Sequence, residues 1–251
     1  MNPPPSPAGW RYPCTSCPLV ATRGFRPFSK DQLEFVSQFK TGEFTVDPGT
    51  TILAEGNHSP HVYTVLSGWG FRYKLLEDGR RQILNFLLPG DFVGLQASLL
   101  SEMHHSVEAL TGMLLCVFER NRIWELYEQQ PGLAFDLTWL AAREERMLDD
   151  HLLSVGQRSG EERAAYLLVF LFERARAREL TKGDKMVFPF SQPMVADALG
   201  LSLVHTNRIL NRFMRDGHVA LNKRQIELKN LNALRRIADW SDSTPSERPF
   251  I

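Results

Sequence analysis

Between Phe44 and Phe118, apolar residues come in short strand-like runs broken by turns. Val62-Tyr63-Thr64-Val65-Leu66 and Gln82-Ile83-Leu84-Asn85-Phe86 are two of these runs, and residues 113–118 are apolar throughout. Pro48-Gly49, Glu55-Gly56, Ser67-Gly68, Asp78-Gly79 and Pro89-Gly90 punctuate them, mostly 11 or 12 residues apart. That rhythm predicts an antiparallel sandwich or barrel with residues 113–118 as a buried closing strand. Upstream, Ser29-Lys30-Asp31-Gln32 is a capping-box pattern and predicts a short helix.

After Pro131 the period changes. Leu133, Leu137, Leu140, Met147 or Leu148, Leu152 and Val155 follow three-and-four spacing, while Arg143, Glu144, Glu145, Arg146, Asp149 and Asp150 crowd the other face. The pattern predicts one long amphipathic helix that Gly156 can end. Such a helix packs on its own β-domain or pairs with a copy of itself. The expected dimerisation positions are Leu133, Leu137, Leu140, Met147, Leu148 and Leu152. A further helix is expected from Ser159 to about Arg178, then a short strand over residues 187–190.

Residues 191–221 are the most informative. Ser191 can cap a helix that carries Pro193 in its first turn, where a missing amide is harmless. Gly200 stands where a tight inter-helix turn requires positive φ, and Ser202 can cap a second helix. In that second helix Thr206, Ile209, Leu210 and Phe213 share an inward face. Val204, Arg208, Asn211 and Arg215 lie opposite, with Leu203 and Asn207 beside them. Arg suits guanine O6/N7, Asn suits adenine N6/N7, and Val204 suits a thymine methyl. Ser202, His205 and Arg212 are placed for phosphates. Residues 218–228 read as a hairpin whose tip, Lys223 and Arg224, is basic: a wing.

The net charge of zero conceals an asymmetry. Residues 1–157 carry 13 Lys and Arg against 18 Asp and Glu, whereas residues 158–240 carry 15 against 9. A basic C-terminal region on an acidic body fits one end meeting a polyanion. No apolar run reaches the roughly 20 residues needed to cross a bilayer, and residues 1–13 are proline-rich without a signal-peptide core. No membrane association and a cytoplasmic location are expected by default. There is no P-loop and no HExxH motif, and Asp149-Asp150 and Glu144-Glu145 read as solvated helix charges, so an enzyme is not expected.

The order of parts from about Phe28 to Ala238 resembles the Crp/Fnr family of bacterial transcription regulators. Pro89-Gly90-Asp91-Phe92-Val93-Gly94 is similar to the family's β-roll motif. Gly200-Leu201-Ser202 followed by Asn207-Arg208-Ile209-Leu210 is similar to its helix-turn-helix. The resemblance implies an α+β chain: an N-terminal cyclic-nucleotide-binding-like β-roll, a long dimerisation helix and a C-terminal winged helix-turn-helix. It places a flexible arm with a CxxC pair at 1–27, the sensor at 28–130, the coupling helix at 131–157, the DNA-binding domain at 158–240 and a tail at 241–251. It further implies a homodimer on a palindromic operator in double-stranded DNA, with RNA polymerase as a partner and a signal passed through the long helix. The competing reading is a β-roll ligand-binding module that acts through protein contacts without specific DNA binding.

Three departures from the family pattern narrow this picture. Cyclic-AMP-binding members carry a Glu after the β-roll motif and an Arg-Ser pair on the cyclic phosphate. Here Leu95 and His105-Ser106 stand there, so cyclic AMP is not the expected ligand. Iron–sulfur members use an N-terminal cysteine cluster plus a distant one. Cys14, Cys17 and Cys116 match three such positions, but Arg23 stands where a further cysteine is expected, and a [4Fe–4S] cluster normally takes four thiolates. An iron–sulfur cluster, a thiol or zinc site, and a solvated CxxC with a buried Cys116 are the alternatives. Finally, Val204 replaces the Glu that accepts from cytosine, while Arg208 matches the family arginine. The operator is expected to keep a guanine contact and to differ beside it.

Overall fold

The computed structural model describes residues 12–241 and 247–251. The proline-rich start of the expected arm, residues 1–11, and residues 242–246 of the expected tail lie outside these. Two compact units divide the chain: one takes the residues up to Lys74 with Phe86–Glu144 and Glu247–Ile251, the other takes Leu75–Asn85 and Glu145–Ser246.

The first unit opens with a 3-10 turn at Cys14–Ser16, followed by α1 (Lys30–Phe39). The predicted capping box forms: the Gln32 amide donates to Ser29 Oγ at 3.2 Å and the Ser29 amide to Gln32 Oε1 at 2.9 Å. Eight strands follow: β1 (Lys40–Val46), β2 (Thr51–Leu53), β3 (His61–Ser67), β4 (Gly70–Leu75), β5 (Arg81–Leu87), β6 (Phe92–Val93), β7 (Ser106–Ala109) and β8 (Met113–Glu119). They form two sheets, in the orders β1-β8-β3-β6 and β2-β7-β4-β5. A short α2 (Leu95–Leu100) precedes β7, and α3 (Ile123–Gln129) and α4 (Pro131–Gln157) follow β8.

Strand alternation sorts the side chains of β3 and β8 into two cores. Tyr63, Val65, Met113 and Leu115 point into the roll with Leu53, Leu87 and Val107. Val62, Leu66, Leu114, Cys116 and Phe118 point the other way and pack with Val36, Phe39, Leu126, Leu133 and Leu137. Two expectations change at this second core. Of the expected arm, residues 12–27 are not loose: Cys14, Leu19 and Phe25 are buried in that core. Phe250 and Ile251 of the expected tail join it too. Irregular backbone gives such apolar anchors no period, which is why the sequence reads as unstructured there.

The long helix α4 runs over the predicted span, but its apolar stripe serves two purposes. Leu133, Leu137, Leu140 and Met147 are buried within the chain, which corrects their expected role as dimer contacts. Leu148 and Leu152 remain exposed, at 41% and 73%, together with Leu153 and Val155. Gly156 does not end the helix, because the Arg158 amide still donates to the Ser154 carbonyl at 3.2 Å.

The second unit contains α5 (Gly160–Arg176), β9 (Thr181–Lys182), β10 (Lys185–Val187), α6 (Gln192–Leu199), α7 (Leu203–Arg215), β11 (Ala220–Asn222), β12 (Gln225–Glu227) and α8 (Leu231–Ile237). Its sheet has the order β11-β12-β10-β9. The strand expected over residues 187–190 instead ends at Val187. Pro189 has no amide to donate to a ladder, and Phe188 and Phe190 turn inward, edge to face at 4.7 Å. Among the described residues no helix is long and apolar enough to cross a membrane.

Candidate nucleic-acid interface

Local chemistry fixes the two helices of the motif. The Met194 amide donates to Ser191 Oγ, Pro193 occupies the first turn of α6, and Gly200 closes the helix at φ +64°. Ser202 then caps α7, its Oγ accepting from the His205 amide at 3.3 Å. Thr206, Ile209, Leu210 and Phe213 are all buried, Phe213 completely, so the inward face of α7 is committed to the core. Burying a phenylalanine contributes about 1.5–3 kcal/mol, which holds the rotation of α7 and therefore the direction of its outer face.

That outer face is where the expected residues stand. Ser202, Leu203, Val204, His205, Arg208, Asn211 and Arg212 are exposed, Val204 at 69%. Asn207 is half-buried, its Oδ1 closed to solvent and without a hydrogen-bond partner among the described residues. Arg208 has no ion-pair partner among the described residues. Arg212 is held by Glu161 at 2.6 Å, with both side chains partly exposed; such a surface pair is weak and can yield the arginine to a phosphate. Arg215, also exposed, rests 3.4 Å from Asp216.

The hairpin forms as expected. Asn222 pairs with Gln225 across a turn in which Lys223 takes φ +53°, so Lys223 and Arg224 are presented outward. Ile226, fully buried, anchors β12 beneath them. A helix with an exposed arginine and asparagine, a capped start and a neighbouring basic hairpin can read base edges and grip phosphates together.

Cys116 meets the CxxC pair, Cys14 and Cys17, in the second core of the first unit. Cys14 and Cys116 are buried and Cys17 is half-buried, all as free thiols. Burial pushes the Cys116 thiol up to about 12, with Cys14 and Cys17 within electrostatic reach, and burial also raises both of those. Beside them lies a pair that the sequence did not signal. Lys40, buried in β1, donates to Glu43 Oε1 at 2.7 Å and to the Tyr12 carbonyl at 2.8 Å, and the Tyr12 amide donates to the same Glu43 oxygen. A lysine near a strand start reads as solvated, so only the packed arm reveals its role. Among the described residues no three His, Cys, Asp or Glu side chains are grouped to hold a metal ion.

Inside the roll, His105 is buried, and burial followed by Arg72 and Lys74 pulls it down to about 3. It is therefore neutral near pH 7. Arg72 is itself paired with Glu144 of α4 and Lys74 with Glu55, the latter at 2.8 Å. The Ser106 hydroxyl accepts from the Glu55 amide at 3.0 Å.

Comparison with known proteins agrees with this geometry. Residues 43–130 match the cyclic nucleotide-binding domain and residues 162–237 the Crp-like helix-turn-helix domain. The chain is 35% identical over 173 residues to the nitrogen fixation regulation protein FixK of Bradyrhizobium diazoefficiens, covering 69% of this chain and 72% of that protein. It is 28% identical over 211 residues to the transcriptional activator protein FnrL of Cereibacter sphaeroides, covering 83% and 84%. The solved structure of FixK2 from Bradyrhizobium japonicum superposes with a TM-score of 0.71 at 31% identity, over 80% of this chain and 98% of that one.

Proposed function

This chain belongs to the Crp/Fnr family of bacterial transcription regulators and is a DNA-binding regulator, not an enzyme; from that premise we propose that two copies bind an inverted-repeat operator, each laying α7 in a major groove. The observation that carries the proposal is the outer face of α7, where Arg208 is exposed, with no ion-pair partner among the described residues, beside Val204 and Asn211. Arg208 grips a guanine, Val204 meets a thymine methyl, and Arg212, Lys223 and Arg224 grip phosphates. RNA polymerase is the partner proposed for the promoter-bound dimer.

The dimer contact proposed is the outer stripe of α4: Leu148, Leu152, Leu153 and Val155. Leu148, Leu152 and Val155 follow one helix face with Leu153 beside them, and pairing that face with a second copy removes it from water. Replacing Leu152 with Glu tests this. Light scattering should read a dimer for the wild type and a monomer for Leu152→Glu, with operator affinity lost in the monomer. A monomeric wild type, or a Leu152→Glu dimer that binds as before, would overturn it.

Cyclic AMP does not fit this β-roll in our reading. His105 is neutral, Arg72 and Lys74 are already neutralised by carboxylates, and Leu95 offers no acceptor to a ribose hydroxyl. Nor do the cysteines fit a [4Fe–4S] cluster. There are three thiols against the usual four thiolates, and Glu43, the nearby carboxylate, is occupied by Lys40 and Tyr12. The signal is proposed to reach the DNA-binding unit along α4. Asp136 and Glu144 on that helix take Arg26 of the arm and Arg72 of the roll, so a change at either is felt by α4.

A further inference from the structure

Residues Glu247–Ile251 return to the first unit after the winged-helix unit is complete, and their contacts form a built peptide site. The Arg248 amide donates to the Gly24 carbonyl at 3.1 Å and the Arg26 amide to the Arg248 carbonyl at 2.9 Å, a parallel bridge centred on Phe25. The Arg248 guanidinium donates to Asp91 Oδ1 at 2.5 Å, with the two side chains only 8% and 2% exposed. Asp91 is held for that role, since its other oxygen accepts the Leu88 amide at 2.7 Å. Phe250 is buried against Phe25, edge to face at 5.3 Å, and against Phe28 at 4.5 Å. Thr64 Oγ1 donates to the carbonyl of Ile251, which is buried as well. Phe25 in turn lies on Gly90, whose φ of +85° and lack of a side chain leave room for the ring.

We propose that the surface formed by Phe25, Phe28, Thr64 and Asp91 is a peptide-docking site, that Glu247–Ile251 is its occupant, and that docking clamps the arm carrying Cys14 and Cys17 against the β-roll. The site selects a peptide in which an aromatic residue follows an arginine two positions later. Backbone pairing sets the register, a buried carboxylate demands the arginine, and the paired rings demand the aromatic. A docked tail is an intramolecular ligand and enjoys a high effective concentration, so modest peptide affinity is enough to keep the arm closed.

The test compares full-length wild type with a full-length Arg248→Gln/Phe250→Ala variant, following modification of Cys14 and Cys17 by a thiol reagent with mass spectrometry. The variant should label on the order of tenfold faster or more, because an opened arm no longer shields its thiols. A synthetic peptide of residues 246–251 should restore slow labelling, with a dissociation constant on the order of 10 μM, and the same peptide with Gln for Arg248 should not. Unchanged labelling in the variant, or fast labelling that saturating wild-type peptide leaves unchanged, would overturn the proposal. A second measurement needs no variant. In wild type, hydrogen exchange at the Arg26 and Arg248 amides should be protected together, and exchange of both at the rate of unstructured chain would also overturn it.

Discussion

Replacing Arg208 with Ala separates base reading from mere attraction to DNA. Arg208 is exposed and has no ion-pair partner among the described residues, so its loss leaves the fold's stability within about 0.5 kcal/mol. A bidentate arginine–guanine pair is worth about 1–3 kcal/mol. Two half-sites therefore lose roughly 2–6 kcal/mol, and at about 1.4 kcal/mol per tenfold that is ~30-fold to ~20,000-fold in operator affinity. Random duplex, held through phosphates, should lose far less. Arg212→Ala is the contrast: its loss should weaken operator and random DNA alike and flatten the salt dependence by roughly 0.9 per phosphate contact. Fluorescence anisotropy titrations at several salt concentrations read all of these numbers. If Arg208→Ala weakens operator and random DNA by the same factor, Arg208 is a phosphate contact and the reasoning about the outer face of α7 is wrong.

Three further outcomes follow from the same contacts. Gly200→Ala should cost about 1–2 kcal/mol through the left-handed backbone alone, since a Cβ there meets nothing nearer than 3.6 Å; an unchanged melting temperature would contradict it. His105 is held near 3 in the folded chain against an ordinary 6.5, so below pH 6.5 the unfolded chain gains a proton that the folded one refuses, and stability falls as pH drops. Down to pH 5 this amounts to about 2 kcal/mol; denaturation of His105→Gln should lack that slope, and parallel profiles for the two proteins would count against it. Protein purified without oxygen should contain neither stoichiometric iron nor sulfide, whereas finding both, and losing both in Cys116→Ala, would show that the thiols hold a cluster after all.

What could be read in advance was whatever repeats or caps. Ser29, Ser159, Ser191 and Ser202 announced four helix starts, because a side-chain oxygen ahead of an apolar stripe does one local job. Gly200 and the inward face of α7 located the helix pair of the motif for the same reason. The stripe of α4 was visible, but its division was not: whether Leu137 or Leu152 is buried depends on what packs against each turn, and period alone carries no such information. The docked tail was invisible, and the meeting of Cys14, Cys17 and Cys116 was legible only through the family resemblance. Leu19, Phe25 and Phe250 sit in irregular backbone, and their burial depends on partners distant in sequence, such as Gly90 for Phe25 and Phe28 for Phe250.

The most direct test of the central claim is selection of bound sequences from a random duplex pool by the purified full-length protein. The account predicts an inverted repeat whose half-sites are centred about 34 Å apart, one helical turn, each with a guanine that Arg208→Ala ceases to require. Recovery of no common motif, or of a single asymmetric site, would contradict two copies of α7 reading successive major grooves.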